Sequence, residues 1–201
     1  QSTEYGTLYS LEELKNLAQF AHQHNMFLHI DGARLANAAA SLGCTLQAMT
    51  KGIGADIVSF GGTKNGLLFG EAIISFVPEL SKDLRFYRKQ VTQLFSKMRF
   101  ISAQYEAYLY EDLWLHNAIH ANSMAQLLAK SLEEFPEITI TQKVTVNSVF
   151  AILPMKIIAP LQAKYLFYTW DEARNEVRFM CSFNTHEEHI EDLIKTIKEL
   201  L

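Results

Sequence analysis

The sequence has few of the features that mark several large classes of protein. Its 201 residues include only two cysteines, Cys44 and Cys181, and no C-x-x-C pair, so neither a disulfide framework nor a cysteine zinc site is indicated. We therefore expect a reducing, cytoplasmic location. The formal net charge is −4 and no block of five like charges occurs, so nucleic-acid binding is not expected. The apolar runs are much shorter than a membrane span, and membrane insertion is not expected either.

The N-terminal stretch "QSTEYGTLYS" also lacks an initiator methionine and the basic and apolar regions of a secretory signal. It has the composition of a polar loop, so we expect the chain to be part of a longer polypeptide. What the sequence does contain is ordinary for a globular protein: 49% of its residues are hydrophobic and 20% are charged. A chain of this kind can bury a hydrophobic core.

Helices and strands are predicted to alternate in the first part of the chain. Ser10 and Glu13 form a capping box before an apolar helical repeat. The predicted elements are a helix at 11–24, a strand at 26–31, a helix at 33–41, a short helix or turn at 46–54, and strands at 55–60 and 68–77. This order is typical of a parallel α/β sheet, which binds ligands at the carboxyl ends of its strands. Asp31 and Lys64 both fall at such ends.

The second part of the chain is predicted to be a small α+β unit. The pattern indicates helices at 81–95 and 99–134, three strands within 138–154 and 165–183, and an amphipathic terminal helix at 185–201. Thr185, with Glu188 three residues later, is predicted to cap the terminal helix.

Lys64 lies in "GGTKNG" (61–66), directly after an apolar strand. We expect this setting to desolvate the amine, which lowers the pKa of a lysine and suits Schiff-base chemistry. The small neighbours are expected to leave room for a bulky ligand. A phosphate-binding loop is the competing interpretation, but the segment lacks the spacing and the Gly-Lys-Ser/Thr order of a Walker A motif.

Asp31 and Arg34 lie in "HIDGARL" (29–35), and spacing alone leaves two interpretations open. They could contact the same bound molecule, or Asp31 could cap the next helix while Arg34 forms a surface pair. His29 would lie on the same side of the strand as Asp31, and we expect it to be a buried histidine with backbone partners. His116 and His120 have helical spacing but no nearby carboxylate or cysteine to complete a site, so no metal is predicted.

An amine and a carboxylate on neighbouring strand ends are what pyridoxal 5'-phosphate requires: the lysine holds the aldehyde as a Schiff base and the acid keeps the pyridine nitrogen protonated. "HIDGARL" followed by "DIVSFGGTKNGLLFGEAII" resembles the fold-type I, pyridoxal-phosphate-dependent threonine aldolase and β-eliminating lyase family. The resemblance implies an α/β fold. Residues 1–80 would be the C-terminal part of the large domain of an aspartate aminotransferase-like transferase. Residues 81–201 would form linker helices and a small α+β domain.

The resemblance also implies roles for individual residues around the cofactor. Lys64 would be the Schiff-base lysine, Asp31 the partner of the pyridine nitrogen, and Arg34 the arginine beside the phenolic oxygen. Thr63 would donate its hydroxyl to the cofactor phosphate, or would only shape the turn.

Two further arginines are implied to bind the substrate. In "EVRFMCSF", Arg178 resembles the family arginine that grips the substrate α-carboxylate, a task for which a planar guanidinium is well suited. The alternative is a strand arginine paired with Glu176 or Asp171. Arg99 resembles a family arginine near the cofactor or the dimer interface.

The activity that the resemblance implies is a carbon–carbon lyase reaction on a small amino-acid substrate. L-threonine or L-allo-threonine would be cleaved to glycine and an aldehyde. β-Elimination of the tryptophanase or tyrosine phenol-lyase type is an alternative, and so is a catalytically silent fragment that serves oligomerisation. A homodimer or homotetramer is expected. A missing N-terminal segment of the same protein would carry about half of the cofactor site, so this chain alone is expected to be incomplete.

Overall fold

The structure is a computed structural model and describes all residues, 1–201. It contains two compact units. Unit 1 consists of Gln1 and residues 9–116, and unit 2 consists of residues 2–8 and 117–201. The division at residue 80 between a large domain and the linker helices stays a prediction.

The helices and strands follow the chain in this order: α1 Leu11–Gln23, β1 His29–Gly32, α2 Leu35–Leu42, α3 Leu46–Met49, β2 Ile57–Gly61, β3 Glu71–Ser75, α4 Pro78–Ser81, α5 Leu84–Gln90, α6 Met98–Leu109, α7 Leu113–Leu132, β4 Thr139–Ile140, β5 Ser148–Ile152, α8 Met155–Gln162, β6 Tyr168–Asp171, β7 Glu176–Met180 and α9 Glu187–Leu200. Three 3-10 turns complete the set, at Lys51–Ile53, Thr63–Asn65 and Tyr110–Asp112. None of the helices combines the length and the apolar character needed to cross a membrane.

Unit 1 contains a three-stranded sheet in the order β1-β2-β3. β1 and β2 are parallel, with Asp31 opposite Ser59, as expected for an α/β sheet. β3 runs antiparallel to β2, with Ile73 opposite Ser59, so the expectation of a purely parallel sheet was wrong. Only residues 62–70 separate the two strands, and a link this short joins antiparallel neighbours but not parallel ones, which need a longer crossover.

Helix α1 begins at the predicted capping box. The Ser10 hydroxyl accepts a hydrogen bond from the backbone N–H of Glu13, and the Glu13 carboxylate accepts one at 2.7 Å from the backbone N–H of Ser10. The bond from that backbone N–H holds the pKa of Glu13 below its usual value. The buried face of α1 carries Leu14, Ala18 and Ala21.

The helical region that follows unit 1's sheet is more broken than predicted. Instead of one helix over 99–134, α6 and α7 are separated by the 3-10 turn, in which Glu111 and Asp112 have left-handed φ angles of 47° and 55°. Apolar periodicity continues across this turn in the sequence, and periodicity alone does not reveal a local change of backbone conformation.

Unit 2 is built on a four-stranded antiparallel sheet in the order β4-β5-β7-β6. One face of the sheet packs against helices through a core that includes Leu128, Val149, Ile157, Val177 and Ile197. The prediction of three strands was therefore wrong by one, since the two-residue β4 is too short to produce a pattern. Helix α8 was not predicted at all.

The cap of helix α9 also differs from the prediction. Its N-cap is His186, not Thr185, and the ring nitrogen Nδ1 of His189 accepts a hydrogen bond from the backbone N–H of His186 at 3.1 Å. The Thr185 hydroxyl instead accepts from the backbone N–H of Ser182 at 2.9 Å. Histidine is not a usual capping residue, so the sequence pattern favoured the neighbouring threonine.

The two cysteines are free, and they should differ in reactivity. Burial raises the pKa of the Cys181 thiol to about 12, and it also raises the pKa of the less buried Cys44. Because the thiolate is the reactive form, we expect a colorimetric thiol reagent at pH 8 to label Cys44 well before Cys181, and both at once in denaturant. The Cys44→Ser variant in its native state should have no thiol that reacts rapidly with the reagent. Two equally fast thiols in the native protein would contradict the buried position of Cys181.

Candidate functional site

Asp31 and Lys64 lie at the carboxyl ends of neighbouring parallel strands, as predicted. Asp31 is the third residue of β1, and Lys64 lies in the 3-10 turn that follows the last residue of β2. Both side chains are exposed. The expected desolvation of the lysine is therefore wrong for this chain. Lys64 forms no ion pair, so its amine is available to another group.

The two glycines that precede Thr63 and Lys64 have a different role from the one expected. A Cβ atom on Gly62 would lie 2.0 Å from Leu67 Cδ1, and one on Gly61 would lie 2.7 Å from Ala33 Cα. Both positions are filled by the protein itself. The glycines therefore permit close internal packing of the loop rather than clearance for a ligand.

Thr63, Asp31 and Arg34 also take part in local structure. The Thr63 hydroxyl accepts a hydrogen bond from the backbone N–H of Gly70 at 2.9 Å and donates to the Gly70 carbonyl at 3.3 Å, so it shapes the loop. Asp31 Oδ1 accepts from the backbone N–H of Ala33 at 2.9 Å, just before α2. Arg34 is the half-buried N-cap residue of α2. The cofactor-binding roles of all three stay predictions.

Asn65 is a residue of this loop that the sequence analysis missed. It is buried, and its side-chain nitrogen Nδ2 donates to Tyr108 Oη at 2.6 Å and to the Trp114 carbonyl at 2.8 Å. Burial raises the pKa of Tyr108 to about 12, so the phenol stays neutral. The only sequence signal was an asparagine between a lysine and a glycine, which also fits an exposed turn. In the structure, Asn65 instead anchors the Lys64 loop to the region of α6 and α7.

Two other side chains of α6 hold the same loop. Gln104 Oε1 accepts hydrogen bonds from the backbone N–H groups of Leu68 and Phe69, at 2.9 and 3.4 Å. The Tyr105 hydroxyl lies 2.9 Å from the Phe60 carbonyl and 3.1 Å from the Gly70 carbonyl. One helix therefore fixes the loop on both sides of Lys64.

We expect Asn65→Ala to lower the free energy of unfolding by about 2–3 kcal/mol, because it leaves two buried hydrogen-bonding groups without their partner. Urea denaturation followed by circular dichroism would measure the change. Asn16→Ala, on the exposed surface of α1, is a matched control and should change stability by less than about 0.5 kcal/mol. If the two variants were equally stable, the anchoring role of Asn65 would be wrong.

The remaining candidates of unit 1 lie on its surface. His29 is exposed rather than buried, and its Nε2 lies 3.2 Å from the Ser59 hydroxyl, so the expectation of backbone partners was wrong. Arg99 is exposed in the first turn of α6, where its guanidinium carbon lies 4.7 Å from the centre of the Phe100 ring. Its proposed contact with cofactor or substrate stays a prediction.

Arg178 lies in the middle of β7 in unit 2, and its surroundings differ from those of an ordinary strand arginine. Its guanidinium carbon lies 5.0 Å from the centre of the Trp170 ring and 5.6 Å from that of Tyr168. The alternative of a pair with Glu176 or Asp171 is wrong. Glu176 is buried and contacts Arg174 at 3.8 Å and the Thr141 hydroxyl.

The structure thus leaves Arg178 without a carboxylate partner. Its Nε is buried and has no hydrogen-bond partner. An external carboxylate would neutralise this guanidinium through its Nη donors, which no acidic side chain occupies.

Comparison with known proteins assigns the chain to a family. The family model for beta-eliminating lyases matches residues 1–156, which is more than half of the chain. This chain belongs to the beta-eliminating lyase family. The resemblance that was drawn from "HIDGARL" and "GGTKNG" is thereby confirmed.

Relatives within the family are threonine aldolases. The chain is 40% identical over 199 residues to the low specificity L-threonine aldolase of Pseudomonas aeruginosa, and 39% identical over 202 residues to that of a Pseudomonas species. These matches cover 98% and 100% of this chain. A solved threonine aldolase of Leishmania major superposes with a TM-score of 0.91 at 30% identity, over 100% of this chain and 59% of that one.

These matches confirm the predicted α/β fold class, that of pyridoxal-phosphate-dependent transferases. They also show that the chain spans 57% and 58% of the length of the two curated Pseudomonas relatives.

Proposed function

We propose that the chain is part of a pyridoxal-phosphate-dependent lyase that cleaves a β-hydroxy amino acid, L-threonine or L-allo-threonine, to glycine and an aldehyde. The observation that carries the proposal is the pair formed by Lys64, an amine without an ion-pair partner, and Asp31, a carboxylate on the neighbouring strand end. Support for the substrate class comes from the threonine aldolases that are about 40% identical to this chain.

The residues present fit the cofactor by their chemistry. The exposed amine of Lys64 would hold its aldehyde covalently. The Asp31 carboxylate uses Oδ1 for the Ala33 backbone, and it would keep the proton on the pyridine nitrogen. Arg34 would lie beside the phenolic oxygen, and Thr63 would donate to the phosphate in place of its 3.3 Å bond to the Gly70 carbonyl. When bound, the cofactor supplies an electron-withdrawing ring that stabilises the charge left on Cα after a bond to that atom breaks.

The chain's own residues would act mainly by binding and orienting. Arg178 would bind the substrate α-carboxylate with two parallel hydrogen bonds, which fixes the direction of the bond to be broken. Arg99 is proposed as a second substrate-binding arginine. Because Asn65 anchors the Lys64 loop through two hydrogen bonds, it would keep the amine in one place.

The products separate this proposal from β-elimination. A form of the protein extended at its N-terminus is incubated with pyridoxal phosphate and L-allo-threonine, and equal amounts of glycine and acetaldehyde are expected, because cleavage between Cα and Cβ yields one of each. Pyruvate and ammonia from serine or tyrosine, without glycine from threonine, would refute the aldolase assignment and establish elimination.

A second candidate function is a catalytically silent fragment that serves oligomerisation. It is favoured by the exposed apolar surface of unit 1, where Leu68 is 84% and Ile73 is 62% exposed. β1 and β3 are also the edges of its sheet, and unprotected edges tend to pair with other chains.

We propose that an N-terminal segment of the same protein and a second copy, in a homodimer or homotetramer, cover this surface.

The chain alone and a form extended at its N-terminus by the matching part of the P. aeruginosa relative would separate the two functions. A cofactor absorption band and cleavage in the extended form alone would show that the site is incomplete in this chain. If the extended form showed neither the cofactor band nor cleavage, and light scattering showed a stable oligomer, the silent fragment would be established. The two free cysteines are consistent with the proposed cytoplasmic location.

A further inference from the structure

The guanidinium of Arg178 is held by aromatic rings rather than by an acidic side chain. Trp170 and Tyr168 of the edge strand β6 lie within cation–π distance of it, at 5.0 and 5.6 Å. Ring faces stabilise a cation without occupying its N–H donors. The Nη donors of Arg178 therefore stay available, whereas a carboxylate partner would compete with the substrate for them.

A local irregularity of the sheet leaves Trp170 without a strand partner. Tyr168 lies opposite Arg178 and Thr169 opposite Val177, but the next pair joins Asp171 to Glu176. Trp170 is thus the extra residue of a β-bulge, a feature that redirects side chains. With the bulge, Trp170 and Tyr168 both contact the same guanidinium.

Trp170 is itself held by two further rings. Its ring centre lies 5.5 Å from that of Tyr5 and 5.4 Å from that of Phe150, both in edge-to-face arrangements. Tyr5 and Phe150 also contact each other at 5.4 Å. We call Tyr5, Phe150, Tyr168 and Trp170 the aromatic frame.

The N-terminal strap, residues 2–8, carries Tyr5 into this frame. The strap is closed by hydrogen bonds between Thr3 and Thr7, and the Gly6 carbonyl accepts one at 2.9 Å from the hydroxyl of Thr145, which precedes β5. Gly6 has a φ of +69°, and a Cβ atom there would lie 2.0 Å from the Ser148 hydroxyl oxygen. Glycine adopts this left-handed backbone without strain, so it suits the position next to Tyr5.

We propose that Trp170 is a positioning residue for Arg178, and that the aromatic frame, completed by Tyr5 of the N-terminal strap, sets the affinity of the protein for the α-carboxylate of its substrate. The inference rests on the proposed function, in which Arg178 binds that carboxylate. The physical reason is preorganisation: a guanidinium whose plane is fixed before binding loses less conformational freedom when it forms two parallel hydrogen bonds.

The first test compares two ligands in the active form of the protein: glycine, which has the carboxylate, and 2-aminoethanol, which has a hydroxymethyl group instead. In Trp170→Leu the inhibition constant of glycine should rise about 5-fold to 20-fold, while that of 2-aminoethanol should change less than about 2-fold, since it makes no bond to Arg178. Trp170→Phe, which keeps a ring face, should restore most of the affinity. Tyr5→Leu should show the same pattern with a smaller rise.

The control is Phe183→Leu, which removes an exposed aromatic ring of the same unit that has no contact with the frame. It should leave both constants unchanged. Equal rises for both ligands in Trp170→Leu would mean a general structural defect, and no rise for either would mean that Trp170 is not needed. Both results would overturn the inference.

The second readout does not depend on catalysis. Trp170 and Trp114 are the only tryptophans of this chain, so in this chain with Trp114→Phe the fluorescence comes from Trp170 alone. Glycine should change this fluorescence, and Arg178→Leu should abolish the change. A parent protein that shows this change but cleaves no β-hydroxy amino acid would overturn the proposed function and leave the aromatic frame as a carboxylate site. If the protein cleaved the substrate but showed no fluorescence change, and Trp170→Leu affected glycine and 2-aminoethanol alike, only the role of the aromatic frame would be overturned.

Discussion

In the form extended at its N-terminus, Lys64→Ala is expected to abolish covalent attachment of pyridoxal phosphate and to lower kcat for L-allo-threonine cleavage by about 1000-fold or more, because it removes the amine proposed to hold the cofactor. The visible absorption of the bound cofactor and the rate of glycine formation measure the two effects. Stability should change by less than about 0.5 kcal/mol, since the side chain is exposed and unpaired.

Lys51→Ala is the matched control for this variant. Lys51 is also exposed and also lies in a 3-10 turn of unit 1, so its removal tests for a general effect of losing a lysine. It should keep the absorption band and the rate of the parent protein. A Lys64→Ala protein that still showed the covalent band would move the attachment site to another residue.

Arg178→Lys is expected to keep the covalent cofactor band but to lower kcat/KM about 30-fold to 1000-fold. This corresponds to a loss of about 2–4 kcal/mol in transition-state stabilisation. Lysine keeps the charge but loses the planar fork that binds a carboxylate through two parallel hydrogen bonds, and it stacks less well on aromatic faces. Steady-state kinetics with L-allo-threonine, together with the absorption spectrum, measure both parts of the prediction.

Arg174→Lys is the control for Arg178. Arg174 is an exposed arginine next to β7, and its contact with Glu176 is long, at 3.8 Å, so the change should alter kcat/KM by less than about 2-fold. Unchanged kinetics in Arg178→Lys would remove Arg178 from the substrate site. Loss of the cofactor band in that variant would place it at the cofactor instead.

The candidate cofactor residues could be predicted from the sequence because their positions depend on local pattern. A short apolar run that ends in Asp31, and another that ends before Lys64, define two strand ends, and parallel strands bring such ends to the same edge of a sheet. The capping box at Ser10 was found for the same reason, since both of its partners lie within four residues. Each of these inferences needed only neighbours in the chain.

The anchors of the site could not be predicted because they join residues far apart in sequence. Asn65 and Tyr108 are separated by 43 positions, and nothing in "TKNG" indicates that the asparagine side chain is buried. The antiparallel direction of β3, the exposure of Lys64 and the packing around Gly62 likewise depend on what the rest of the chain brings next to each residue.

The α/β class and the pair of residues at the strand ends could be predicted from the order and spacing of residue types, and the family from the resemblance of two short motifs. The way in which Arg178 is held depends on the folded chain. Its neighbours come from the strap around Tyr5, from Phe150 in β5 and from the bulge at Trp170, and a guanidinium can rest on ring faces only after folding has assembled them.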